Sequence, residues 1–103
     1  MSRIKTVTQI TSKTTAVTMN AKNGIITTVD LKDAEDTQFE FVVNNDKIYP
    51  ASNIQVTAMY AGTTGVPYVF VKSRDRFTCT LVVANIGIAA LDAAVSINMT
   101  IVG

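Results

Sequence analysis

The end of the chain alternates strictly between two kinds of side chain. Residues 93–102 read AAVSINMTIV. One side of the extended chain carries Val95, Ile97, Met99 and Ile101. Alternation with a period of two over this length is typical of a β-strand that buries one face. We therefore expect the chain to end within a sheet of its own core, and its function to lie on loops, edges or outer faces.

The same alternation recurs upstream, at residues 38–44 and 54–60, between short runs of turn-forming residues. No segment has the spacing of apolar residues that is typical of a helix, and residues 86–94 are predicted to be a loop packed over one end of the domain. The pattern predicts an all-β fold. It favours an antiparallel β-sandwich of about seven or eight strands, with either immunoglobulin-like or jelly-roll strand order.

The length of 103 residues suffices for one domain with one modest core. We assign residues 7–103 to this domain. Residues 1–6 are predicted to form an N-terminal arm that is disordered in the free protein, as unanchored termini usually are. Asn23 and Gly24 are predicted to form a turn, since Gly24 can adopt a positive φ. The predicted core consists of Val17, Ile25, Phe39, Phe41, Ile54, Val56, Phe77, Leu81, Val95, Ile97 and Ile101.

The composition limits the partners that the chain can be expected to bind. Charged residues make up only 17% of the chain, so its outer faces must consist mostly of Thr, Ser, Asn and Gln. Such a sparsely charged surface suits contact with neighbouring proteins. The net charge of +1 gives no reason to expect nucleic acid or a membrane as a partner. No apolar run approaches the ~20 residues of a transmembrane helix, and no signal peptide is recognisable.

The residue types that most enzymes use are scarce. The chain has no histidine and one cysteine, Cys79, which we interpret as a small buried hydrophobic residue. The acidic cluster in residues 30–36 does not have the spacing of a calcium-binding loop and is interpreted as a solvated loop. Asp92 is expected to accept hydrogen bonds from backbone amides. We expect no catalytic residues, no metal, no cofactor and no enzymatic activity.

Six segments follow one another in a specific order: VTQITSKTTAVTMN at residues 7–20, NGIIT at 23–27, QFEFVVNN at 38–45, GTTGVPYV at 62–69, FTCTLVVAN at 77–85 and AAVSINMTIVG at 93–103. They resemble the segments VTQ-TSKST-VTLN, GQITM, VSFTVTN, GGTAGAYTV, FTITVRN and EAVVLNFAVIKG of small β-rich structural modules in tailed-phage virions. The chain departs from this family in residues 31–36, which are acidic where the family is rich in alanine.

The resemblance implies a component of a virion, and the family has no catalytic residues to transfer. The first hypothesis is a capsid decoration protein, also called a cement protein, which binds the major capsid protein on the outer surface of the shell. Such a protein is made in the host cytoplasm and is expected to form trimers or dimers. Many weak contacts then stabilise the shell together. The N-terminal arm is expected to contact a neighbouring subunit through Arg3, Ile4 and Lys5, with Ile4 as an apolar anchor.

The second hypothesis is a receptor- or glycan-binding module of a fibre or vertex that attaches the virion to its host. The candidate residues are Tyr49, Tyr60 and Tyr68, which lie near predicted turns, together with Asn45 and Asn53. A host-surface glycan would be the ligand. In the simpler interpretation, these tyrosines cap the core and extend their hydroxyl groups into water.

Overall fold

The computed structural model describes residues 5–102, and all regular structure in this range is β-structure. The strands are β1 (Lys5–Thr8), β2 (Val17–Thr18), β3 (Asn23–Thr27), β4 (Gln38–Asn44), β5 (Asn53–Tyr60), β6 (Pro67–Asp75), β7 (Thr78–Asn85) and β8 (Val95–Val102). They form two four-stranded sheets, which we call sheet A (β1-β3-β8-β5) and sheet B (β2-β4-β7-β6). The prediction of an all-β sandwich with seven or eight strands is confirmed, but the sheets are mixed and not antiparallel throughout. Within the described range there is no helix that could span a membrane.

The connections between strands cross from one sheet to the other, with one exception. Only β6 and β7 are both consecutive in the chain and hydrogen-bonded neighbours. This order differs from the immunoglobulin order, in which several pairs of neighbouring strands are consecutive. The pairings in the middle of each sheet are antiparallel, but the short edge strands β1 and β2 run parallel to β3 and β4. Nothing in the hydrophobic pattern predicts these two parallel pairings, because β2 has only two residues.

The strand directions place the loops at two ends of the sandwich. We call one of them the hairpin end, because it contains the β6–β7 turn. It consists of residues 19–22, 45–52 and 76–77, and β1 begins and β8 ends there. The opposite end, which we call the loop end, consists of residues 9–16, 28–37, 61–66 and 86–94.

The core lies between the inner faces of the two sheets. As predicted, alternate residues of β8 face inwards, and each of them is at most 3% exposed. Sheet B contributes the opposite wall, in which Phe41 is 2% exposed and Leu81 is completely buried. Cys79 belongs to the same wall, and burial raises the pKa of its thiol to about 12. The thiol is therefore protonated and protected, in agreement with its interpretation as a small hydrophobic residue.

Two residues of the predicted core lie elsewhere. In β3 the core residue is Ile26, not Ile25, because Ile26 lies opposite Ile97 of β8 whereas Ile25 lies opposite Asn98. Phe77 is 42% exposed, because it occupies the β6–β7 turn and not the strand that follows.

The turn predicted at Asn23 and Gly24 is also wrong, because both residues lie in β3 and the φ angle of Gly24 is not positive. The glycine is needed for a different reason. A Cβ atom at this position would lie 2.8 Å from the carbonyl oxygen of Lys5 and would collide with the sulfur of Met19. The absence of a Cβ atom at Gly24 thus allows Lys5 of β1 and the Met19 side chain to lie directly against the backbone of β3.

Phe41 provides a test of the core. Phe41→Ala should lower the free energy of unfolding by about 3–5 kcal/mol, because it leaves a cavity between the sheets. The neighbouring Val42 lies on the outer face of the same strand and is 38% exposed, so Val42→Ala is the matched control. Denaturation in urea measures both effects. Similar losses for the two variants would contradict the assignment of the buried face.

Candidate functional site

Of the residues predicted for the N-terminal arm, the structure describes only Lys5 and Thr6. Arg3 and Ile4 lie outside the described residues. Lys5 is exposed and begins β1, where it pairs with Gly24, and Thr6 follows it in the same strand. Lys5 therefore lies at the hairpin end of the sandwich.

The three candidate tyrosines do not form one site. Tyr49 lies at the hairpin end and is 47% exposed, whereas Tyr60 ends β5 at the loop end. Tyr68 also lies towards the loop end, but on the outer face of the other sheet. No glycan site that combines all three side chains exists in this arrangement. Of the two candidate asparagines, Asn53 is exposed at the start of β5.

Asn45 has a structural task. It is 1% exposed, and its Nδ2 donates a hydrogen bond of 2.7 Å to the carbonyl oxygen of Ala21. Its Oδ1 accepts a hydrogen bond of 3.0 Å from the backbone N–H of Lys47. The amide nitrogen and the amide oxygen of Asn45 both bond to backbone groups of the hairpin-end loops, so Asn45 does not present its amide to a ligand.

Tyr60 is part of a hydrogen-bond network at the loop end. Its hydroxyl accepts a hydrogen bond of 2.7 Å from the backbone N–H of Asp92. The proton of the hydroxyl has two acceptors nearby, the carbonyl oxygen of Thr64 at 2.6 Å and Oδ1 of Asp92 at 2.7 Å. Desolvation and the Asp92 carboxylate raise the pKa of the phenol. Tyr60 thus connects residues 61–66 with residues 86–94 through its hydroxyl, whereas the simpler interpretation of the tyrosines expected this hydroxyl to extend into water.

Asp92 completes this network. Its carboxylate accepts hydrogen bonds from the backbone N–H of Thr63 at 2.9 Å and from the Thr63 hydroxyl at 2.6 Å. The hydrogen bonds from Thr63 and Tyr60 lower the pKa of Asp92 from 3.8 to about 2. The expectation that Asp92 accepts from a backbone amide is confirmed.

The sequence analysis did not identify Asn85, the second organising residue of the loop end. It is 1% exposed. Its Oδ1 accepts from the backbone N–H groups of Val66 (3.2 Å) and Gly87 (3.0 Å), and its Nδ2 donates to the carbonyl oxygens of Asp33 (3.0 Å) and Ala89 (2.8 Å). An asparagine at the end of an apolar strand, followed by Ile-Gly-Ile, is the only sequence signal of this role.

The acidic segment is not simply a solvated loop. Asp33 is 8% exposed and forms an ion pair of 2.9 Å with Lys13, whose ammonium lies 5.2 Å above the ring of Phe39. Beside this pair lies an open cleft of about 330 Å³, lined by Lys13 and residues 29–33. Among the described residues, no group of three His, Cys, Asp or Glu side chains is arranged to hold a metal ion.

The hairpin end carries a small exposed cluster that the sequence analysis did not predict. The aromatic cluster, as we call it, consists of Tyr49, Arg76 and Phe77. The rings of Tyr49 and Phe77 meet edge to face with centroids 5.8 Å apart, and the Arg76 guanidinium lies 5.2 Å from the Phe77 centroid. Both rings are more than two-fifths exposed. Aromatic and arginine side chains are the types that dominate the binding energy of protein interfaces.

Phe77 holds its place in this cluster with an unusual backbone. Its φ is +66°, a left-handed conformation that is a genuine outlier for a bulky residue. The backbone N–H of Phe77 donates to the carbonyl oxygen of Ile48 at 2.8 Å, and its carbonyl accepts from the N–H of Asn45 at 2.9 Å. These two bonds tie the β6–β7 turn to residues 45–52. Strained residues of this kind occur most often where a side chain has a function.

Comparison of the chain with protein-family models, with curated proteins and with solved structures finds no match. The two loop networks serve the fold, whereas the aromatic cluster leaves its rings exposed. We therefore take the aromatic cluster as the candidate functional site.

The backbone of Phe77 can be tested by two substitutions. Phe77→Ala and Phe77→Gly both remove the ring, but only glycine adopts a left-handed conformation without strain. We expect Phe77→Gly to be more stable than Phe77→Ala by about 1 kcal/mol in urea denaturation. Equal stability of the two variants would contradict the left-handed conformation.

The Asp92 network predicts that the free energy of unfolding depends on pH in the acidic range. Because folding lowers the pKa of Asp92 to about 2, its contribution to the free energy of unfolding is complete above its ordinary pKa of 3.8 and is lost as the pH falls towards 2. Asp92→Asn removes this titration. The difference in free energy of unfolding between wild type and Asp92→Asn should therefore be constant near neutral pH and shrink between about pH 4 and pH 2.

Urea denaturation at each pH measures this difference. Tyr60→Phe is an informative control, because it keeps the carboxylate but removes one of its donors, so that the loss should be smaller and should be complete at a higher pH. A difference between wild type and Asp92→Asn that stays constant down to about pH 2 would contradict the role of the network.

Proposed function

We propose that the chain is a structural protein of a phage virion, a capsid decoration protein that binds the major capsid protein on the outer surface of the shell. In this role it stabilises the shell mechanically and turns over no substrate. The six segments that resemble phage structural modules support the proposal. Three of them contain the central strands β4, β7 and β8, so the resemblance is carried by the framework of the sandwich.

The aromatic cluster is the structural observation that best supports the proposal. Tyr49 and Phe77 project from one end of the sandwich. Hydrogen bonds to residues 45–52 fix the backbone of Phe77, and a bond from the Tyr49 N–H to the Ser52 hydroxyl fixes the backbone of Tyr49. Lys5 lies at the same end, and Arg3 and Ile4 precede it in the chain. The hairpin end thus combines an exposed apolar anchor with basic side chains, and we propose it as the surface that faces the shell.

The physical basis of stabilisation is linkage. A protein that binds the assembled shell but not its separated subunits lowers the free energy of the shell alone. Each contact of this small, sparsely charged domain can be weak, because a lattice presents many equivalent sites and the contributions add over all copies. This mechanism requires no reactive side chain at the interface.

A particle assay tests the proposal. Phage particles assembled without the chain should release their genome at a lower temperature than complete particles, as followed by dye access to the nucleic acid. Adding purified protein should restore the release temperature, and bound protein should saturate at a fixed number of copies per particle. The double variant Tyr49→Ala, Phe77→Gly should bind at least ~10-fold more weakly, since it removes both anchor rings.

Two comparisons make the assay specific. Met59→Ala, which removes a side chain that is 54% exposed on the outer face of sheet A, should bind like wild type. Deletion of residues 1–4, which spares all described strands, should leave the domain folded and weaken binding to particles. Particles that are equally stable without the chain but fail to adsorb to cells would contradict the proposal and favour the receptor-binding role.

A further inference from the structure

The outer face of sheet B differs from the other outer surfaces of the molecule. Val82 points away from the core on the central strand β7, yet it is only 2% exposed. Phe70 of β6 lies directly beside it on one side and Glu40 of β4 on the other. The ammonium of Lys72 reaches across β7 to a Glu40 carboxylate oxygen at 2.9 Å. Three side chains of the two flanking strands thus cover Val82.

The surface becomes increasingly apolar from this ion pair towards the loop end. Tyr68 lies opposite Ala84, and its ring packs on that of Phe70 with centroids 5.7 Å apart. Beyond Ala84, Ile86 is 61% exposed. We call this surface the β7 face; it consists of Tyr68, Phe70, Val82, Ala84 and Ile86, flanked by Glu40 and Lys72. The outer face of sheet A carries instead polar residues such as Gln55, Thr57, Asn98 and Thr100.

The charges on the β7 face are arranged symmetrically about β7. Glu40 and Lys72 stand on opposite flanks of β7. Phe70 is level with Glu40, and Lys72 lies beyond it at an irregularity of β6, but its ammonium and the Glu40 carboxylate meet over β7 at 2.9 Å. A two-fold axis that runs parallel to β7 above its outer face exchanges these flanks. It brings the Glu40 carboxylate of each copy near the Lys72 ammonium of the other and places Tyr68 over Gln38 of the other copy, while residues on β7 meet their own counterparts. An axis across the strands would instead place β6 over β6 and bring like charges together.

We propose that the β7 face is the contact between two copies of the chain in a two-fold symmetric dimer. An exposed apolar patch on a small domain marks an interaction site, and a two-fold contact must be complementary to itself. The β7 face meets this condition, since its residues on β7 meet their own counterparts and its one acidic and one basic side chain exchange under the symmetry operation. The inference goes beyond the proposed function, because the dimer forms without a shell.

Analytical ultracentrifugation over a range of concentrations tests the surface. The wild-type chain should sediment as a dimer that dissociates on dilution, and Tyr68→Ser should raise the dissociation constant at least ~10-fold. Met59→Ser is the matched control, because Met59 is 54% exposed and Tyr68 53%, but Met59 lies on the outer face of sheet A. Denaturation in urea establishes that both variants fold.

A charge exchange tests the geometry. Glu40→Lys and Lys72→Glu should each weaken the dimer, because each places like charges opposite each other across the axis. An equimolar mixture of the two variants should form a heterodimer about as tight as the wild type, since every charge contact across the axis then joins a lysine of one variant to a glutamate of the other. Each variant chain carries two flanking side chains of the same charge, so it cannot restore an ion pair within itself. A tighter dimer on mixing can therefore come only from a contact between copies.

Four results would overturn the proposal. A wild-type chain that stays monomeric at ~1 mM lacks the interface, because a weaker contact than this is not a specific one. A trimer contradicts the two-fold axis. A dimer that Tyr68→Ser leaves intact, or a mixture of charge variants that stays as weak as its components, assigns the contact to a different surface. These measurements need no virion, so their failure leaves the proposed shell binding untouched.

Discussion

The fold depends on buried side-chain amides that satisfy the backbone of crossing loops. All connections except β6–β7 pass from one sheet to the other, and a loop that crosses the end of a sandwich has no neighbouring strand to pair with. Asn85 supplies four of the missing bonds, to backbone groups of three different loops. Gln9, which also lies at the loop end, does the same, because its amide bonds to backbone groups of Lys13, Thr15 and Val29. No buried side-chain polar atom of residues 5–102 is left without a partner.

The hydrophobic pattern was sufficient to predict β4, β5 and β8 because each of them alternates between a more buried and a more exposed face. The pattern failed where it carried no such contrast. Ile25 and Ile26 are both β-branched, and only the register with β8 decides which one faces the core. Phe77 is in phase with Cys79 and Leu81, so alternation assigns it to the core, although its backbone makes a turn. Edge strands as short as β2 leave no periodic signal at all.

The candidate site could be predicted only in part, because its residues come together through the topology. Tyr49 was identified as exposed and near a turn, but its contact with Phe77 joins segments that are far apart in the chain. Tyr60 was identified for the same reason, yet its hydroxyl serves Asp92, which lies 32 positions away. Local sequence predicts which tyrosines reach the surface. Whether a hydroxyl is free for a ligand depends on partners from distant loops, which local sequence does not reveal.

The two proposed surfaces are compatible in one molecule. The β7 face lies on the side of sheet B, whereas the aromatic cluster lies at the hairpin end, so a dimer through the first leaves the second uncovered. A two-fold axis parallel to the strands has a further consequence, because it preserves the direction along the strands. Both hairpin ends of the dimer then point the same way, and two aromatic clusters face one surface. A dimer built in this way binds a lattice through two sites at once, and its affinity for the lattice exceeds that of either site by the effective concentration of the second. Dimerisation through the β7 face would thus strengthen shell binding without adding any contact to the shell.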